Sequence, residues 1–544
     1  MSVPTLSKSI LTDRNSVYTE QDIIEIFVSP EEVPLLNASQ GSYLKFLLKV
    51  KEDPAETNCI AQPDPMAGGS SVISTISIYD GANSQLLEQL EDVSTWTAMY
   101  YHYSKTQGLE NMRTLMEGVS PVQSRALKSQ YFTFDPVDGT TFKEVECVVP
   151  LYMSGLLGQG AKLLPVIALN GIRIRIQLQK KEAALRGLTQ IGYSSTAATY
   201  TGIRQIRGLP TAGAELPEAF GAAAAAAGAA VNPAIAGFSV NTSGVDAVPP
   251  ATIQAALADF SNIAYSVGQD LYVEQIAPDP PLFLGTITAV TSVGGRPTYT
   301  CAGGAANVGA AGIAANGRVY VDANSLKANF EMKNVEFVCS VVQASGETMN
   351  GLMRQVSSGG GIRIDYPSYN LYRQNLQAGI PRSELLIPSN ERRACSIVSQ
   401  PMRSVARLYE DTFRPVGDAC QSYIWNIANR LTPNRRVSTR LVATANEEAA
   451  QRLSWDAIHL HETEKAISRL NIVPRNLCEN ARNFCIPRQL AKDGHSFNAN
   501  ENEIRLNVEY GSAADENVIN KLVGTWLYHI RTCVITPNSV AVEF

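Results

Sequence analysis

Residues 171–179 read "GIRIRIQLQ". Ile172, Ile174, Ile176 and Leu178 fall on one side of an extended chain, and Arg173, Arg175, Gln177 and Gln179 on the other. Successive strand side chains point to opposite faces, so the pattern predicts a strand with one dry and one wet face. "NEIRLNVEYG" at 502–511 writes it again: Ile504, Leu506, Val508 and Tyr510 alternate with Arg505, Asn507 and Glu509. The segments downstream of the two copies are also alike. Beyond a long insertion the first leads to the apolar "NVEFVCSVV" (334–342). Beyond a short loop the second leads to "WLYHIRTCVI" (526–535). Two copies of one antiparallel β-sandwich would be written this way. Periodicity does not fix the strand order.

Working outward, "IIEIFVSP" (23–30), "SYLKFLLKV" (42–50), "SSVISTISIYDG" (70–81), "KEVECVVPLYM" (143–153) and "LLPVIALNGIRIRIQLQ" (163–179) read as strands, with a turn at Asp80-Gly81. "NSQLLEQLEDVSTWTAMYYHYS" (83–104) carries Leu86, Leu87, Leu90, Val93 and Trp96 at helical spacing, with Asn83 or Ser84 as cap. A second short helix is expected at "GLENMRTLMEGV" (108–119). Near residue 190 the texture changes. Residues 190–330 are poor in charge, contain "GAAAAAAGAA", and include hairpin-like pieces, as expected of an elaborated surface insertion with some strand content. Core texture resumes at 333. A helix is expected at "GETMNGLMRQV" (346–356), then a Gly-rich break at 357–361 that marks the main boundary. The second half reads as strands at "IRIDY", "ELLIP", "RACSIVS", "SYIWNIANRL", "RRVSTRLVATA", "TWLYHIRTCVITP" and "SVAVEF", interrupted by a helix-leaning segment at 445–470.

The chain of 544 residues exceeds one ordinary core, and 45% hydrophobic with 18% charged residues is a globular composition. The net charge is −6, and only short basic clusters occur ("QKK" 179–181, "NRRV" 434–437), which argues against direct nucleic-acid packing. The nine Cys are odd in number and scattered, the pattern of buried reduced thiols. Residues 1–20 are polar, are read as loosely held, and contain no signal-peptide core; no run of about 20 apolar residues exists to span a membrane. The Asn37 and Asn241 glycosylation triplets are then coincidences.

Chemistry-bearing motifs are weak. "GLLGQGAKL" (155–163) lacks the Lys-Ser/Thr pair of a phosphate-binding loop and reads as a turn. "HLHETE" (459–464) would place His459 and His461 on one strand face with Glu462 or Glu464 near, but zinc needs three or four ligands and no third His is close; an exposed polar segment beside a helix is the plainer reading. Cys478 and Cys485 are spaced too widely for a zinc pair. No Gly-x-Ser-x-Gly elbow occurs, and the five His support no triad. The aromatics of "TWTAMYYHYS" (95–104) fit helix packing and an intersubunit contact better than a ligand face. No catalytic, cofactor or metal residues are assigned.

Several of these stretches resemble double jelly-roll major capsid proteins of eukaryotic double-stranded DNA viruses: the virophage, polinton-like and nucleocytoplasmic large DNA virus lineage. "SSVISTISIYDGANSQLLEQLEDV" resembles a segment near that family's start. Val149, Pro150 and Leu151, then Leu164, Pro165, Ile167, Ala168 and Leu169, then the 172–178 strand, resemble its most distinctive stretch. "YIWNIANRLTPNRRV" and "WLYHIRTCVITPNSVAVEF" are similar to segments of its second half. The resemblance covers about residues 20–190 and 330–544.

It implies an all-β chain of two tandem eight-stranded antiparallel jelly rolls with a few short helices. The first roll would cover 21–345, with a tower-like insertion at about 190–330, and the second 346–544. Residues 1–20 would lie at a capsid's inner side. It implies a structural, non-enzymatic protein without cofactors, a homotrimeric capsomer of pseudo-hexagonal outline tiling an icosahedral virion shell. Its partners would be itself and neighbouring trimers, penton and minor capsid proteins, and an internal membrane where one lies under the shell, with no sequence-specific nucleic-acid binding. Synthesis and assembly would occur inside the host cell, in cytoplasm or viral factory. The competing reading is a carbohydrate-binding or carbohydrate-active β-sandwich, which needs clustered surface aromatics or two facing carboxylates. A fibre would show short regular repeats and a penton a single roll.

Overall fold

The computed structural model describes, with gaps of up to four residues, 5–52, 61–103, 142–187, 328–403, 420–438, 457–468, 485–510 and 521–543. It also describes residues 116 and 117 and separate strand segments between 193 and 321. Eight principal strands form the first half: β1 (Thr5–Leu11), β2 (Ile23–Val28), β3 (Tyr43–Glu52), β4 (Ile73–Asp80), β5 (Leu86–Glu91), β6 (Phe142–Pro150), β7 (Ile172–Leu178) and β8 (Ala328–Val342). Eight more form the second: β9 (Ile362–Leu376), β10 (Arg382–Ile387), β11 (Ala394–Arg403), β12 (Cys420–Ile427), β13 (Arg430–Ser438), β14 (Ile486–Gln489), β15 (Ile504–Tyr510) and β16 (Lys521–Ile535).

Their pairing is the same in both halves. The first half holds one sheet in the order β1-β8-β3-β6 and another in the order β2-β7-β4-β5, all antiparallel. The second holds β9-β16-β11-β14 and β10-β15-β12-β13. Adding eight to each strand number of the first half gives the second. This order, in which all neighbours in space except β4-β5 and β12-β13 are distant in sequence, is that of the eight-stranded jelly roll. The chain is a tandem double jelly roll.

The two quoted stretches are β7 and β15, and they occupy the same place in their sheets. Along β7, Ile172, Ile174, Ile176 and Leu178 are buried while Gln177 is exposed; along β15, Ile504, Leu506, Val508 and Tyr510 are buried. Burying an Ile or Leu contributes about 1.5–3 kcal/mol, so the apolar set of each strand fixes which face turns inward. The first core gathers these with Ile26, Phe46, Ile78 and Phe337; the second is built on Tyr423, Trp425, Leu506 and Leu527.

Helix α1 (Val93–Tyr103) comes after β5, α2 (Gly346–Gln355) joins β8 to β9, and α3 (Ala457–Ser468) lies between β13 and β14. The α2 start is capped by Ser345, whose hydroxyl accepts from the Thr348 amide at 3.3 Å. Between β7 and β8, strand segments from Ile206 to Val321 assemble into a separate eight-stranded sheet.

Several expectations are corrected. Residues 86–91 are not helix but strand β5, because pairing with β4 overrides their helical spacing; the helix begins at Val93. Residues 166–169 form a 3-10 turn, closed by Asn170 at φ 54° and Gly171 at φ 104°, and the strand starts only at Ile172. Residues 68–72 are likewise a 3-10 turn ahead of β4. "SYIWNIANRL" is not one strand: Ala428 and Asn429, both at positive φ, turn β12 into β13. Thr5–Leu11, expected to be loose, is paired along its whole length with β8. Most of the helix expected at 108–119 lies outside the described residues.

Candidate functional site

The most elaborate polar arrangement lies where the first jelly roll meets the second. Strand β5 ends its sheet, so among the described residues one of its edges has no strand partner. Such an edge is a template for unwanted pairing. Here the second roll covers it. The Tyr366 hydroxyl donates to the Leu87 carbonyl, and the Tyr369 hydroxyl donates to the Glu91 carbonyl at 3.3 Å. Tyr369 also stacks on Trp96 of α1, and Arg373 pairs with Asp92 at 3.0 Å.

Glu88 is wholly buried beside this edge. Its Oε2 accepts from the Ser154 hydroxyl at 2.5 Å and from the Leu156 amide at 3.4 Å, and its Oε1 accepts from the Gly155 amide at 3.0 Å. Burial pushes the Glu88 carboxyl above its ordinary range; the Ser154 and Gly155 bonds and the charge of Arg531 pull the other way. Gly155 permits the approach of this turn to β9, since a Cβ there would lie 1.7 Å from the Pro367 carbonyl oxygen.

Arg531 of β16 is buried too. Its Nη2 donates to Asn370 Oδ1 at 2.7 Å and its Nε donates to His529 Nε2 at 2.9 Å. Burial, with the Arg531 charge, holds His529 down to about 3, so the ring is neutral and Nε2 accepts while Nδ1 donates to the Leu527 carbonyl. Asn370 Nδ2 in turn donates to Glu391 Oε1, which also accepts from the Tyr372 hydroxyl at 2.8 Å. All the partners in this network belong to the second roll, as those of Glu88 belong to the first. Bonds that cross between the rolls are those of Tyr366 and Tyr369 to the Leu87 and Glu91 carbonyls and the Arg373–Asp92 pair, with the charge of Arg531 acting on Glu88. These can hold the two sandwiches in one mutual orientation, because a slip would break them.

The motifs singled out in the sequence fall elsewhere. His459 and His461 are on helix α3, not on a strand. His459 is buried with Nδ1 3.2 Å from the Tyr423 hydroxyl, and His461 is exposed. Glu462 pairs with Arg488 at 2.6 Å. Among the described residues no three His, Cys, Asp or Glu side chains gather to hold a metal. Cys485 is buried, and Cys478 lies outside the described residues. Cys147, Cys339, Cys395, Cys420 and Cys533 are buried thiols that form no disulfide, and burial pushes Cys339 and Cys533 up to about 12. Gly155 and Gly158 of the loop-like motif sit in turns, while 159–162 lie outside the described residues. Trp96 of the aromatic cluster packs within the chain, on Tyr369. Sequence reasoning missed Glu88 and Arg531, since a buried ionisable group differs from an exposed one only through its neighbours.

The fold class that these sheets define is the double jelly roll. No protein-family model matches the sequence, and no curated protein matches it. Solved structures do resemble it. A chain of the PBCV-1 virus capsid is 6% identical with a TM-score of 0.48, over 100% of this chain and 98% of that one. The Faustovirus major capsid protein is 8% identical with a TM-score of 0.48, over 98% and 91%. The mavirus major capsid protein is 8% identical with a TM-score of 0.40, over 100% and 91%. The assignment of the fold rests on the strand order within this chain.

Proposed function

We propose that this protein is the major capsid protein of an icosahedral double-stranded DNA virus, with a structural and not a catalytic role. The observation that carries the reading is the identical strand order in both halves. Three such chains supply six similar sandwiches, which is what a closed ring of threefold symmetry needs to fill a hexagonal lattice. The solved capsid proteins are consistent with it. In this reading the first roll spans 21–345 and the second 346–544. The 190–330 insertion forms a tower on the outer surface, and residues 1–20 face the capsid interior.

Its partners are then two further copies in a homotrimer, neighbouring trimers, penton and minor capsid proteins, and any membrane beneath the shell. The protein resides in the virion after synthesis and assembly in the host cell. Contacts between trimers must stay weak enough for correction during assembly, while those within a trimer bury more. Light scattering on the purified protein, with negative-stain microscopy of the same peak, tests this. A mass near three times 58.8 kDa, about 176 kDa, with hexagonal outlines is expected. A stable monomer would overturn the trimeric capsomer and make a sugar-binding screen the next experiment.

A further inference from the structure

Within one chain the two rolls meet through unlike surfaces. Edge strand β5 of the first is covered by β9 of the second, and Leu87, Glu88, Leu90, Tyr366 and Tyr369 are all buried there. The strands that hold the same two places at the other ends of the chain are not covered. β13 stands in the second roll where β5 stands in the first, yet it is exposed along most of its length, with Leu431 at 52%. β1 stands in the first roll where β9 stands in the second, yet it exposes Leu6 at 52% and Leu11 at 38%. Among the described residues no strand pairs with the outer edge of either β1 or β13.

Exposure does not differ everywhere between the rolls. Phe27 on β2 and Leu386 on β10 lie opposite Arg173 and Arg505, at the same register position, and both are exposed, at 42% and 46%. The rolls agree there and disagree at β5 against β13 and at β9 against β1. The disagreement has the form expected when one contact of a ring is made inside the chain and the next is made between chains.

We propose that β13 of one copy docks on β1 of a second copy, repeating between chains the contact that β5 and β9 make within one. The proposal rests on the trimeric reading above and adds which strand meets which. The contact is head-to-tail: each chain offers one β13 and one β1, so the ring closes when three chains have supplied six rolls. Charge agrees with this occupant. β13 carries exposed Arg430 and Arg435, while Glu32 and Glu336 flank β1, bonded to Lys8 and Ser9. The apolar centre on each side is a leucine, Leu431 against Leu6 and Leu11.

The test is light scattering on Leu6→Asp, Leu431→Asp and, as control, Leu386→Asp. Each of the first two is expected to fall from the trimer mass to 58.8 kDa, and the control to remain a trimer. Mixed together, Leu6→Asp and Leu431→Asp retain one intact β13 and one intact β1. They are expected to form a heterodimer of twice 58.8 kDa, about 118 kDa, and nothing larger. Amide exchange on the unmutated trimer provides a reading that no folding defect can disturb: residues 5–11 and 430–438 should be as protected as 86–91. A wild-type trimer whose Asp variants stay trimeric, or whose 430–438 amides exchange freely, overturns this contact and leaves the capsomer standing. A wild-type monomer at every concentration removes the capsomer reading and this contact with it.

Discussion

Tyr369 of the second jelly roll lies flat on Trp96 of the first, with ring centroids 5.7 Å apart and planes 7° from parallel. Both side chains are buried, and the Tyr369 hydroxyl continues to the Glu91 carbonyl. One residue thus joins packing and edge-capping across the seam. Trp96→Ala should cost about 3–5 kcal/mol, as for other buried large-to-Ala changes. Tyr369→Phe keeps the stack and removes one hydrogen bond, and should cost about 0.5–1.5 kcal/mol. Urea unfolding of both variants checks the ratio. Equal costs would mean that the stack contributes little.

Glu88 gives the seam a pH dependence of predictable sign. Its carboxyl is raised in the folded state by burial, with an ordinary value near 4.5 when unfolded. The folded state therefore binds the proton more tightly. The stability this group contributes is fully present below pH 4.5 and is lost as pH rises through the folded value. Glu88→Gln cannot titrate, so the wild-type advantage over it should be largest in acid and shrink towards neutral pH. Unfolding midpoints of the two proteins across that range are the measurement. A difference independent of pH would show that Glu88 holds the same charge in both states.

Two glycines should respond to alanine with opposite signs. A Cβ on Gly81 would lie 1.9 Å from the Asn170 carbonyl oxygen, where the β4–β5 turn abuts the start of β7. Gly81→Ala must push backbone against backbone and should cost about 1–3 kcal/mol or more. Gly351 sits within α2 with nothing near its missing Cβ, so Gly351→Ala should stabilise by about 0.5–1 kcal/mol through helix propensity. Thermal melts of the pair check both signs.

How legible this fold was depends on which force decided each element. β7 and β15 were plain in the sequence because burial on one face writes period two into the residues themselves. Their equivalence even extended to the apolar strands downstream of them, β8 and β16. Leu86–Glu91 misled because Leu86, Leu87 and Leu90 satisfy helical spacing, while the strand exists through pairing with β4, a tertiary fact. Thr5–Leu11 misled for a related reason. Only Ile10 is buried among Leu6–Leu11, so an edge strand held mainly by backbone bonds to β8 leaves a polar sequence. The seam was least visible: Tyr366, Tyr369 and Arg373 meet Leu87, Glu91 and Asp92 only when the two rolls are brought together. His459 and His461 separated because a helix, unlike a strand, sends residues two apart to different sides.

The repeat also reaches the outer faces of the rolls, where it makes a prediction about what does not matter for stability. Arg173 reaches diagonally to Glu25 at 2.6 Å, and Arg505 reaches to Glu384 at 2.6 Å. The registers coincide: Arg175 lies opposite Glu25 as Asn507 lies opposite Glu384. Arg173 holds the Glu25 carboxyl below its ordinary range, opposed by partial burial, so its contribution is present above pH 4.5 and lost as pH falls through the lowered value. Both partners are more than a third exposed, and water and salt screen the pair. Glu25→Ala should therefore cost less than about 1 kcal/mol, and less still in 1 M salt. Ile174→Ala, one residue along the same strand but facing inward, should cost about 2–5 kcal/mol with little salt dependence. Urea unfolding of the two variants at low and high salt decides it. A Glu25→Ala cost that rivals Ile174→Ala would mean that this duplicated pair is a structural element of each roll and not a solvated surface bridge.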